Sequence, residues 1–193
     1  ISSDRTVVVE TFNDAMGDLR MVVHSCFGSR INSAWALALT HALQEQLHWQ
    51  VETQVNDDGI LFHFLRADRE PPVDLVQIMG PDEARERLLL ELPNSALFGA
   101  QFRMNASRAL LLPGITGGNK RTPFWVQRMR ARELLATTRG FDDFPILTET
   151  YRDCLRDVLD LEHLMGVLAA IQRGDIRVHT VETVVPSPVA AGL

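Results

Sequence analysis

Apolar and polar positions alternate over the first third of the chain and then recur at helical spacing. Arg5-Thr-Val-Val-Val-Glu-Thr-Phe12 is β-branched and predicts a strand; Leu19 to Ser25 predicts its return after a turn from Asn13 to Asp18. Asn32 or Ser33 is suited to cap a helix running to about His48, with Trp35, Leu39, Leu43 and Leu47 as its apolar stripe. Val51 to Val55 and Ile60 to Leu65 flank Asn56-Asp-Asp-Gly59, and Asp-Gly between alternating segments predicts a second hairpin. Leu75 to Met79 is a short apolar run that predicts a further strand.

From Pro81 the spacing predicts helices over 82–92, 95–111, 123–139, 145–158 and 161–173, separated by Pro93, Pro113, Pro123, Pro145 and Gly174. Ile176 to Val185 returns to β-character before Pro186-Ser-Pro188 breaks it. Strands, then helices, then a closing strand predict an α+β fold. With the last strand paired to the first sheet, residues 1–193 form one domain, β-rich over 1–80, helical over 81–174 and closed by a strand over 176–185.

Composition narrows the class. The 193 residues are 46% hydrophobic, enough for one substantial core or two small ones. No apolar run reaches the roughly 20 residues of a membrane span. Cys26 and Cys154 are too few for a disulfide framework, so a cytoplasmic setting is expected. Ile1 to Glu10 does not read as a secretory leader, and a first residue other than Met suggests a piece of a larger protein.

Charge changes the picture most. Residues 100–140 hold eight basic side chains and one acid, Glu133, a balance of +7 within a chain of net charge −6. Phe102, Phe124 and Trp125 lie in the same window. Basic groups among aromatic faces suit a nucleic-acid strand. With Arg121 at zero on a helical wheel of about 100° per residue, Arg128, Arg132 and Arg139 fall within about 20° of it and Trp125 about 40° away. This stripe either meets phosphates while a tryptophan, Trp125 or Trp35, stacks on a base, or it pairs with Glu149, Asp153 or Asp157 of the next helix. Lys120, in a glycine-rich loop, adds a possible backbone contact. Trp35 also suits a core anchor.

Enzyme motifs are missing. Gly114-Ile-Thr-Gly-Gly-Asn-Lys120 fails the phosphate-loop pattern because Asn119 separates Gly118 from Lys120, and it reads as a flexible loop. None of the six histidines has zinc-ligand spacing with another His or Cys, and no Gly-x-Ser-x-Gly elbow occurs. No catalytic, cofactor or metal residue is assigned, and whether the segment is itself an enzyme stays open.

Thr6-Val-Val-Val-Glu10, Ala109-Leu-Leu-Leu-Pro113, Arg121-Thr-Pro-Phe-Trp125, Asp143-Phe-Pro-Ile146 and Pro186-Ser-Pro188, spread in order over nearly the whole chain, resemble the DEAD/H-associated region of the large helicase-related (Lhr) superfamily 2 helicases. Leu19, Cys26 and Val189 depart from that family's usual aromatic, proline and phenylalanine. The resemblance implies a barrel-like sheet flanked by helices, in a parent that is an ATP-dependent 3′-5′ helicase. It implies that ATP and Mg²⁺ belong to motor domains outside this segment. The implied partners are single-stranded DNA, or a DNA or RNA:DNA duplex with a 3′ tail, together with winged-helix and RecA-like domains of the same parent. On this basis Lys120, Arg121, Trp125, Arg128, Arg132, Arg139 and Trp35 are the candidate strand contacts. The alternatives are a structural brace for those domains and an independent hydrolase.

Overall fold

The computed structural model describes residues 2–65, 67, 69–112, 115, 116, 120–141 and 143–193, with only the backbone at 115, 116, 120 and 121. These residues form two compact units, Ile1–Glu91 with Leu159–Leu193, and Leu92–Val158.

The first unit is built on a five-stranded sheet of order β3-β4-β2-β1-β7. Its strands are β1 (Thr6–Asn13), β2 (Leu19–His24), β3 (Val51–Val55), β4 (Gly59–Phe64) and β7 (Arg177–Glu182). The first four are antiparallel neighbours, and β7 runs parallel to β1 with Val9 opposite Thr180. The α+β class and the pairing of the last strand with the first sheet therefore stand. The sheet is open rather than a closed barrel, with β3 and β7 at its edges.

Alternation gives the sheet two buried faces. Val7, Val9, Met21, Val23, Ile60 and Phe62 are buried on one, beneath α1 (Ser29–Leu47), where the Thr40 and Thr53 hydroxyls lie 3.0 Å apart. On the other, Phe12, Val22 and Leu61 pack with Ala190 and Leu193 of the C-terminal segment. Helices α2 (Leu75–Ile78), α3 (Pro81–Glu91) and α7 (Leu161–Arg173) pack on α1.

Two local expectations are corrected, and a third position, Gly59 of the expected hairpin, has a further reason. Asn32 and Ser33 do not cap α1; the helix starts at Ser29, after Gly28, and Asn32 lies inside it, fully buried. Its amide donates to the carbonyls of Ser25, Asn56 and Asp57 and its Oδ1 accepts from Ser25 Oγ at 2.7 Å, so a cap-type residue instead ties α1 to two loops. The Ser29 N–H is met by the Asp57 carboxylate at 2.8 Å. Leu75 to Met79 is a helical turn, because Leu75 and Met79, four apart, are both buried and the Met79 N–H reaches Leu75 O. Gly59 is required by space rather than by turn geometry: a Cβ there would sit 2.5 Å from the Val23 carbonyl oxygen.

The second unit contains α4 (Ala96–Arg108), a two-stranded ribbon of β5 (Ile115–Thr116) and β6 (Lys120–Arg121), α5 (Phe124–Thr138) and α6 (Pro145–Asp153), continued by a π-helical turn, Cys154–Val158. Ser95 caps α4 through a bond from the Phe98 N–H. The helix ends at Arg108, three residues before its expected end, because Leu110 takes φ +58° and the Leu111 N–H closes back on Ala106 O. Phe98, Phe102, Ala131, Leu135 and Cys154 are buried in this unit. Asp153 accepts from both Gln101 and Asn105, at 3.1 and 2.9 Å. The glycine-rich loop expected over Gly114–Lys120 lies outside the described residues apart from its strand backbone.

Candidate nucleic-acid interface

Small residues open a groove in the second unit. Ala96, Gly99 and Ala100 recur at three and four along α4, and Ala131 and Ala136 face them from α5. Neither side fills the space between, and a groove of about 820 Å³ remains. Arg103, Arg128, Arg132 and Arg139 line it. The N-terminal turn of α4, carrying the positive end of the helix dipole, lines it too. Leu92–Val158 holds ten basic and six acidic side chains, whereas the rest of the chain holds nine and nineteen.

Three of these guanidinium groups, those of Arg103, Arg128 and Arg139, are held by a ring or a carbonyl rather than by an acid. Arg103 lies 4.8 Å and Arg128 6.0 Å from the centre of the Phe124 ring. Arg139 donates to the Pro93 carbonyl. Among the described residues, Arg103, Arg128, Arg132 and Arg139 form no ion pair with a carboxylate. Two of the three expected partners are engaged elsewhere: Glu149 pairs with Arg152, and Asp153 is met by Gln101 and Asn105. The internal-pairing reading thus finds no support at Glu149 or Asp153.

Of the sequence candidates, Arg128, Arg132 and Arg139 come together on α5, all exposed. Trp125 is 67% exposed and, with Met129 and Glu133, borders a second hollow that shares Arg128 and Arg132 with the groove. Arg121 does not continue the helical stripe: it lies in β6, because Pro123 disfavours helical backbone at Thr122 and α5 begins at Phe124. The side chains of Lys120 and Arg121 lie outside the described residues. Trp35 is corrected from a stacking candidate to a core residue, 0% exposed in the other unit, with its indole N–H unpartnered. Arg103 and Phe124 were noted within the basic, aromatic window but not among the candidate contacts, although the spacing of Ser95, Gly99 and Arg103 marks one face of α4 as free of core residues.

Other chemistry is weaker. Burial, with Asp153 nearby, pushes the Cys154 thiol up to about 12, so it stays protonated at neutral pH. Asp14, Asp18 and His63 bring ligand-type atoms within 4.8 Å of one another, but Asp14 is engaged with Arg20 at 2.8 Å and Asp18 with His63 at 3.3 Å. No helix among the described residues is long and apolar enough to cross a membrane.

Comparison with known proteins adds to this geometry. Residues 1–190 match the DEAD/H associated family over nearly the whole chain. The chain belongs to that family. Among its DEAD/H associated relatives are the Lhr helicase/probable uracil glycosylase of Mycolicibacterium smegmatis, 40% identical over 193 residues, and the Lhr helicase/uracil glycosylase of Escherichia coli, 38% identical over 198. Each match covers 100% of this chain but only 13% and 12% of the relative. A solved structure of Mycobacterium smegmatis helicase Lhr, bound to ssDNA and AMP-PNP, matches 100% of this chain with a TM-score of 0.90 at 40% identity, covering 24% of the solved chain.

Proposed function

We propose that this chain is a nucleic-acid-binding accessory segment of an ATP-dependent 3′-5′ helicase and grips the loading strand. The observation that carries the reading is the groove between α4 and α5, lined by four arginines that have no carboxylate partner among the described residues. Phosphates follow the groove past Arg103, Arg128, Arg132 and Arg139, and Trp125 stacks on a base beside it. Lys120 and Arg121, on β6, are kept as further candidate contacts. The DEAD/H associated match and the similarity to a helicase solved with single-stranded DNA support this reading. ATP and Mg²⁺ then belong to RecA-like motor domains elsewhere in the parent, with a winged-helix domain as a further neighbour.

Salt titration of binding to a single-stranded oligonucleotide tests the proposal. Four phosphate contacts give a slope of log affinity against log salt of about −3, at about −0.7 per contact. The Arg128→Ala, Arg132→Ala double variant lowers the steepness by about 1–2. Binding that ignores both salt and the double variant, or no binding at all, overturns it; the second result leaves a structural brace.

A further inference from the structure

A smaller cavity of about 220 Å³ adjoins the groove, with Arg139 in the lining of both. We infer that this cavity receives one nucleobase of a strand whose phosphates run along the groove, an inference that rests on the reading above.

The walls suit a flat aromatic group. The half-buried Tyr151 ring packs at 59° on the fully buried Phe98, centres 4.8 Å apart, so Tyr151 rather than Phe98 offers a face to the cavity, and Leu147 adds an apolar side. Phe141 also lines the cavity while remaining 62% exposed, so much of its ring has no protein contact. The size lies below the roughly 300–1,000 Å³ of sites for whole small molecules. It accommodates one ring system rather than a nucleotide triphosphate.

The polar groups suit a base edge better than a phosphate. Among the described residues Arg139 is the one cation of this lining, and part of its donor capacity is used on the Pro93 carbonyl. Thr148 brings an exposed hydroxyl. Burial raises the Tyr151 phenol above its ordinary value despite the opposing charge of Arg139, so it remains a protonated donor and acceptor. Arg139, pinned where the two cavities meet, joins phosphate contact on one side to base contact on the other.

The test uses the 193-residue chain carrying Trp125→Ala, which removes the exposed indole beside the groove. Fluorescence anisotropy compares an oligothymidine with an abasic strand of equal length. Phe141→Ala is expected to weaken the thymidine strand about tenfold and leave the abasic strand unchanged, while Phe141→Trp retains binding. Equal effects on both strands, or no effect on either, overturn the base site. Thymidine-strand binding that is lost with Arg128→Ala and Arg132→Ala but blind to Phe141→Ala removes the base site alone. No binding of either strand removes the groove reading with it.

Discussion

Arg103 of α4 rests 4.8 Å from the centre of the Phe124 ring of α5, so a cation and an aromatic face join the two helices at the rim of the groove. Arg128 reaches the same ring at 6.0 Å, the outer limit for such attraction, so Arg103 carries most of the contact. A double-mutant cycle of Arg103→Ala and Phe124→Ala, read by urea unfolding, is expected to give a coupling of about 0.5–1 kcal/mol. The same cycle with Arg128 should give less. A coupling indistinguishable from zero at Arg103 would show that the two helices are held by their apolar residues alone.

Gly99 separates stability from binding. A Cβ at this position meets nothing within 4 Å, so a larger side chain enters the groove without clashing. Glycine inside a helix costs about 0.8–1 kcal/mol relative to alanine, and leucine is a good helix former. Gly99→Leu should therefore raise the unfolding free energy by about 0.5–1 kcal/mol while weakening single-strand binding. Thermal unfolding and anisotropy on one preparation check both. Unchanged binding would place the strand elsewhere.

The two tryptophans should respond in opposite ways. Trp35 is sealed in the core, and its truncation to alanine is expected to cost about 3–5 kcal/mol of stability. Trp125 is largely exposed; its truncation should shift stability by no more than about 0.5 kcal/mol and reduce strand affinity by about 1–3 kcal/mol. Denaturant curves and binding isotherms for both variants decide between a stacking Trp125 and a merely exposed one.

These contrasts show how far local sequence reaches. Both hairpins were legible because β-branched runs and turn residues act through nearest neighbours. The clustering of Arg128, Arg132 and Arg139 was legible because a helix converts spacing into direction. Trp35 and Trp125 were harder, since each is flanked by helical residues and burial depends on what another element places over them. Asn32 has cap chemistry, yet its partners Ser25, Asn56 and Asp57 are brought to it only by the tertiary fold. The groove was the least legible feature. It exists because Ala96, Gly99 and Ala100 face Ala131 and Ala136 from a separate helix, and that pairing has no local signal.

Glu10 ties the C-terminal segment to the first strand, which predicts a specific acid response. The carboxylate is 2% exposed and accepts bonds from the Ser187 N–H at 2.7 Å, the Ser187 hydroxyl at 2.6 Å and the Thr183 hydroxyl at 2.9 Å, with His24 Nε2 also 2.7 Å away. Burial alone would raise its pKa, but the bonds from Ser187, then His24 and Thr183, outweigh that and hold it below the usual 4.5. A depressed carboxyl contributes stability that is complete above the unfolded value and is lost as pH falls through the folded one. Glu10→Gln keeps the shape without the charge and should cost about 1.5–3 kcal/mol at neutral pH, the range for hydrogen bonds to charged groups. As pH falls from 4.5 through the lower folded-state value the gap to the parent chain should narrow, because the unfolded parent and then the folded one takes up a proton. Urea midpoints followed from neutral pH into that acid range give the result, and a gap that stays constant would mean that the ionised carboxylate does not hold the segment in place.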